Sequence, residues 1–174
     1  MKYGELNLGQ IEAVVNRLGG MEGVQRFLAG LSEIVVVKHL IDCDADPFLP
    51  EGWKVESHKK GGNFEWDPTK VRLHFSENQK NGKCIQGHKL REELVNEPVL
   101  NANVLDYLLA HPELIPEEWK GKYVYFWGTI YRSSVGGLCV RALCWDDGRW
   151  YWGCRWLGYD WGDIYPAACS QVSS

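Results

Sequence analysis

The chain has 174 residues, 45% of them hydrophobic and 24% charged, with a net charge of −4. That length suits about one domain and is enough to bury a core without disulfide or metal staples, and the composition excludes a disordered or fibrous chain. No apolar run approaches the roughly 18 residues of a bilayer span, the start MKYGELNLGQ reads as no secretory signal, and the acidic balance argues against a nucleic-acid partner.

In chain order, a helical hairpin comes first. Asn7 followed by Gln10 has the spacing of a capping box. Leu8, Ile11, Val14, Val15 and Leu18 then share one helical face. Gly19-Gly20 closes that helix, and a second one brings Met21, Val24, Phe27 and Leu28 to a similar face before ending at Gly30. Residues 1–30 therefore read as a helical head and 31–174 as the body. Such a hairpin can be a DNA-reading helix-turn-helix, but only Gln25 and Arg26 could act as readers and there is no basic stripe. Packing or docking is the expected role.

Next, Glu33 to Val37 predicts a buried strand. Asp42, Asp44 and Asp46 alternate as at the start of a calcium loop, but Pro47 follows at once and the required glycine is missing. An acidic turn is expected there. Trp53 to Glu56 and Val71 to Phe75 predict two strands. His88 to Val95 predicts a short helix. Asn101 or Asn103 caps another, with Val104, Leu105, Leu108 and Leu109 inward and His111-Pro112 at its end. Pro116 to Trp119 predicts one further helical turn.

The C-terminal third holds seven of the nine Trp, and no Lys follows Lys122. The run Tyr123 to Tyr131 is apolar on both alternating faces, as a central strand is. Asp147-Gly148, between two β-rich runs, predicts a two-residue hairpin turn. Paired positions then sum to 295, which sets Trp145 opposite Trp150, Leu143 opposite Trp152, Arg141 opposite Cys154 and Cys139 opposite Trp156 on one face. This face is either core or a stacking platform for sugars, bases or a peptide. Trp145, Trp150, Trp152, Trp156 and Arg141 are its candidate ligand-binding residues. Nine Trp exceed what one core requires, so some are expected at the surface.

The six Cys form no C-x-x-C pair, and Cys139 and Cys144, five apart on a strand, point to opposite faces. Reduced thiols, no metal and no cofactor are expected. No H-E-x-x-H, G-x-S-x-G or phosphate-binding glycine motif occurs. Cys84 and His88 are the one thiol–imidazole spacing to consider, but no orienting third group stands out. No catalytic residue is assigned.

The strings Val99–Gly121, Phe126–Arg132 and Gln10–Leu28 resemble a family of uncharacterised conserved proteins recurring in genomes of small, uncultured candidate-phylum bacteria. The resemblance implies a bacterial, cytoplasmic protein. It also implies a docking role for a head that precedes different bodies. It supplies no activity and no site residue.

The expected fold is α+β: an N-terminal helical hairpin, then helices packed on an antiparallel sheet that ends in a Trp-rich β-meander. The expected function is a non-catalytic binding or interaction protein. It would use the aromatic sheet surface, the helical hairpin or both, with a protein or a small or polymeric ligand as partner. The alternative is a small hydrolase-like enzyme whose cleft contains Cys84, His88 or the aspartates.

Overall fold

A computed structural model describes residues 7–31 and 38–171. The predicted strand at 33–37 lies outside the described residues. The chain divides into two units, Met1–Val37 and Lys38–Ser174.

The first unit is the hairpin, α1 (Leu8–Arg17) and α2 (Gly20–Leu28). Its capping box is complete: the Asn7 side chain accepts from Gln10 N at 2.9 Å, and Asn7 N donates to the Gln10 side chain at 3.0 Å. The turn between the helices depends on small residues. A Cβ at Gly23 would lie 1.4 Å from the Leu18 carbonyl oxygen, so α2 approaches the end of α1 as no other residue type allows.

The second unit contains β1 (Leu40–Asp42), β2 (Lys54–His58), β3 (Asn63–Glu65), β4 (Val71–His74), β5 (Ile85–Gln86), α3 (Gly87–Glu93), α4 (Ala102–Ala110), β6 (Val124–Tyr125), β7 (Thr129–Arg132), β8 (Leu138–Asp146), β9 (Arg149–Trp156), β10 (Asp160–Trp161) and β11 (Ala167–Ser170). Seven strands form the main sheet, in the order β2-β7-β8-β6-β11-β4 with β9 on β8. Because β9 occupies one whole side of β8, β6 and β7 share the other. They are two halves of one line of chain, offset at the turn of Trp127 and Gly128, while Phe126 N still donates to the Arg141 carbonyl of β8. That line is central and buried, as its apolar faces predict.

The β8–β9 register is the expected one throughout, from Asp146↔Arg149 to Cys139↔Trp156. Asp147 and Gly148 have φ of 48° and 74°, the paired left-handed conformation of a type I′ turn. The fold class is α+β. One ladder, β6 with β11 at Tyr125↔Ala167, runs parallel within the otherwise antiparallel sheet, because β11 returns from the far end of the chain and enters between β6 and β4.

Each face of the sheet carries one helix. Leu143, Val124, Phe126 and Ala168 pack with Val104, Leu105 and Leu108 of α4. On the opposite face Tyr125, Val140, Ala142 and Cys144 pack with Leu90 and Leu94 near α3 and with Trp161. Even positions of β8 face the α3 core, and its odd positions face the other side, Leu143 in the α4 core and Cys139 in a smaller cluster with Ala102 and Tyr131. Asn101 caps α4, its side chain accepting from Asn103 N.

Candidate functional site

The hairpin and the aromatic face are the two regions the sequence marks for binding. In the hairpin, Val15, Leu18 and Val24 are half-buried, and no residue of either helix is fully buried. Leu8, Ile11, Val14, Met21, Phe27 and Leu28 are exposed, Leu8 at 85% and Leu28 at 77%. The charges of α1 and α2 are Glu12 and Glu22 against Arg17 and Arg26. The surface is thus a neutral, apolar stripe over two short helices. Helices of this length are marginal in water without tertiary cover.

The aromatic face has a different character. Trp145, Trp150, Trp152 and Trp156 are all half-buried, and Trp66, Trp119, Trp127 and Trp161 are buried. Trp53 is half-buried as well, so none of the nine Trp stands exposed, in contrast to the sequence expectation. Most of the surplus rings are absorbed because the sheet carries cores on both faces, with Trp53 and Trp156 packed on a third, smaller cluster around Tyr131 and Cys139.

Their faces are already occupied from within. The Lys120 ammonium sits 3.9 Å from the centre of the Trp145 ring, and Trp145 and Trp150 meet edge to face at 5.1 Å. Further along, the Arg141 guanidinium lies 4.6 Å from the Trp152 ring and 5.0 Å from Phe48. The loop residue Phe48 and Trp53 pack edge-on against Trp152. Trp156 lies so close to Gly137 that a Cβ there would come within 2.6 Å of the ring.

Arg141 does not face solvent. Its side chain is 1% exposed and forks onto Asp106 of α4 through bonds of 3.0 and 2.7 Å. Asp106 itself is 30% exposed. The pair therefore ties helix to sheet inside a box of aromatic rings. Sequence reasoning could not place this contact: Asp106 is 35 residues away and gives no signal beyond a helix surface charge.

The six cysteines are free thiols, and only Cys84 and Cys154 are exposed. Burial raises the Cys43 and Cys144 thiols to about 11 and Cys169 to about 12. Cys154 goes the other way. The neighbouring Cys139 thiol and then the Arg141 charge bring it down to about 7. Cys139 is pushed up, first because its proton serves Cys154 and then by burial.

The remaining candidates do not assemble. Cys84 and His88 are both exposed, and no hydrogen bond joins them. Asp42 accepts from Asp44 N and Ala45 N, while Asp44 accepts from the Gly61 and Gly62 amides, so these carboxylates organise the turn predicted from their spacing. Among the described residues no group of three or more His, Cys, Asp or Glu could hold a metal ion. Two clefts, of about 250 and 200 Å³, meet at Lys59 and Val99. Both are below the ~300 Å³ at which small-molecule pockets begin, whereas two shallower hollows, of about 380 Å³ between Thr69 and Leu114 and about 330 Å³ between Arg72 and Ser170, pass that size without bringing together any of the candidate residues. Nor is any helix among the described residues long and apolar enough to cross a membrane. Compared with known proteins, the chain matches no family model, no curated protein and no solved structure.

Proposed function

We propose that this chain is a non-catalytic interaction protein of the bacterial cytoplasm, that the α1–α2 hairpin is its docking element, and that the hairpin docks on the same hairpin of a second copy. The observation that carries the reading is the exposed apolar stripe of Leu8, Ile11, Val14, Met21, Phe27 and Leu28 on helices without one buried residue. A neutral stripe has no basic face for anionic lipid and none for nucleic acid. Two such hairpins face to face supply one another's missing half-core as a four-helix bundle, and a two-fold axis closes the assembly. The balanced pairs Glu12/Arg17 and Glu22/Arg26 put no block of like charge at that contact. The bacterial and cytoplasmic assignment rests on the family resemblance and on six thiols with no pairing.

The aromatic face receives less support as the docking surface, because Lys120, Arg141, Phe48 and Trp53 already cover its rings. The hydrolase reading lacks a contact between Cys84 and His88. Sedimentation equilibrium across the micromolar range tests the proposal. The intact chain is expected to dimerise, and Phe27→Glu with Leu28→Glu to give a monomer with an unchanged body. A wild-type chain that is monomeric throughout, or a dimer indifferent to these changes, overturns it.

A further inference from the structure

Cys154 lies on β9, which pairs with β8 alone and so leaves its outer side as a sheet edge. Its thiol is exposed, whereas Cys139 on β8 is fully buried. In the register Arg141↔Cys154 and Cys139↔Trp156, the two sulfurs occupy one face and stand on a diagonal, with Arg141 directly across from Cys154. Cys139 Sγ donates to the Tyr131 carbonyl at 3.8 Å. The guanidinium that faces Cys154 keeps a buried Nε–H with no acceptor, so part of its field is left unmatched by Asp106. Nothing in a docking role for the hairpin uses this arrangement.

We propose that Cys154 and Cys139 form a hydroperoxide-oxidisable thiol pair, with Cys154 as the attacking thiol and Cys139 as the resolving one. The chemistry takes two steps. The Cys154 thiolate attacks one oxygen of a hydroperoxide, an S–O bond forms as the O–O bond breaks, and the departing alkoxide or hydroxide leaves protonated as alcohol or water. Sulfur is oxidised to the sulfenic acid and the peroxide is reduced. The Cys139 sulfur then attacks the Cys154 sulfur; the S–S bond forms, the S–OH bond breaks, and hydroxide leaves with the Cys139 proton as water. Two thiols and one hydroperoxide thus become a disulfide, an alcohol and water.

The surroundings fit each role. An attacking thiol needs solvent access and a nearby positive charge, and Cys154 has both. A thiol held close to its ambient-pH midpoint, about 7 here, is near the optimum for attack. A resolving thiol attacks as its thiolate; once Cys154 is a neutral sulfenic acid, the charge that holds the Cys139 proton is gone, and burial protects Cys139 from oxidation in its own right. Diagonal Cα atoms in an antiparallel pair are about 7–8 Å apart, beyond the roughly 4.4–6.8 Å of a disulfide, so closing the bond draws the edge strand β9 locally toward β8. The bond would therefore be a labile one, returned to thiols by a small dithiol.

The test uses the intact chain and hydrogen peroxide at low molar excess, followed by denaturation, alkylation and peptide mass mapping. The expected product is an intrachain Cys139–Cys154 disulfide that dithiothreitol reverses, with the exposed Cys84 still alkylated. In Cys139→Ala, dimedone is expected to trap the sulfenic acid at Cys154. In the untreated wild-type chain at neutral pH, Cys154 is expected to alkylate about threefold or more faster than Cys84; this measurement needs no variant to fold. Oxidation of Cys84 in preference to Cys154, a sulfenic acid persisting on Cys154 while Cys139 stays free, or a disulfide between chains would each overturn the proposal.

Discussion

Replacing Asp106 by Ala should expose how much of the body's stability depends on one ion pair. The substitution leaves the Arg141 guanidinium, 1% exposed, without a counter-charge beneath the aromatic rings. Removing one partner of a fully buried pair costs about 3–5 kcal/mol. Asp106 is 30% exposed, so water can replace part of what the carboxylate supplied, and a cost near the lower end, about 3 kcal/mol, is expected. With a urea dependence of about 2 kcal/mol per molar, the unfolding midpoint should fall by about 1.5 M at unchanged slope. Asp106→Asn keeps one acceptor and should lose roughly half as much. The double variant Asp106→Leu/Arg141→Met removes both charges and refills the space, so it should recover most of the loss. A single-variant cost below about 1 kcal/mol, or a double variant no better than Asp106→Ala, would refute the claim that an unpaired buried charge is the source of the loss.

Further outcomes follow from the same geometry. Gly148→Val should destabilise by about 1 kcal/mol or more, because a β-branched residue is forced to a φ of 74°; thermal unfolding reads it, and an unchanged midpoint would reject the type I′ turn. Trp161→Ala should cost about 3–5 kcal/mol as a fully buried ring, whereas Trp145→Ala, Trp150→Ala, Trp152→Ala and Trp156→Ala should each cost roughly half that. If the four cost nothing in denaturant titrations, the intramolecular covering of their faces is wrong. Alkylation of Cys154 should accelerate as pH rises through about 7, since its lowered pKa makes the thiolate the main form above that value. A rate that climbs only in the alkaline range would show that the Cys139 thiol and the Arg141 charge do not act on it.

Local chemistry made much of this architecture readable. Asn7 and Gln10 announce the first helix, and Gly19-Gly20 its end, because caps and left-handed turns require particular side chains. Asp147-Gly148 fixes eight cross-strand pairs because a two-residue turn leaves one register. Non-local features were silent. Strand β11, Ala167 to Ser170, is built of small residues without alternation, and only its burial between β6 and β4 makes it a strand. Arg141 looks like a surface charge within a β pattern, and its burial depends on Asp106 and Phe48 arriving from a helix and a loop. The same distance hides the fate of the Trp rings: period-two spacing assigns them a face but not the cations that cover it. The closeness of Cys139 and Cys154 was half visible, since the register places them on one face, but the shielding of one and exposure of the other follow from β9 being an edge.

The most direct measurement is hydrogen–deuterium exchange of the α1 and α2 amides as a function of protein concentration. Short helices with no buried residue should be weakly protected when the chain is dilute and should gain protection by mass action as a second hairpin docks. Protection at Gln10 to Phe27 that rises with concentration, while the amides of β8 and α4 stay unchanged, is the predicted result. Protection of the hairpin that is independent of concentration, or no protection at any concentration, would contradict docking between copies.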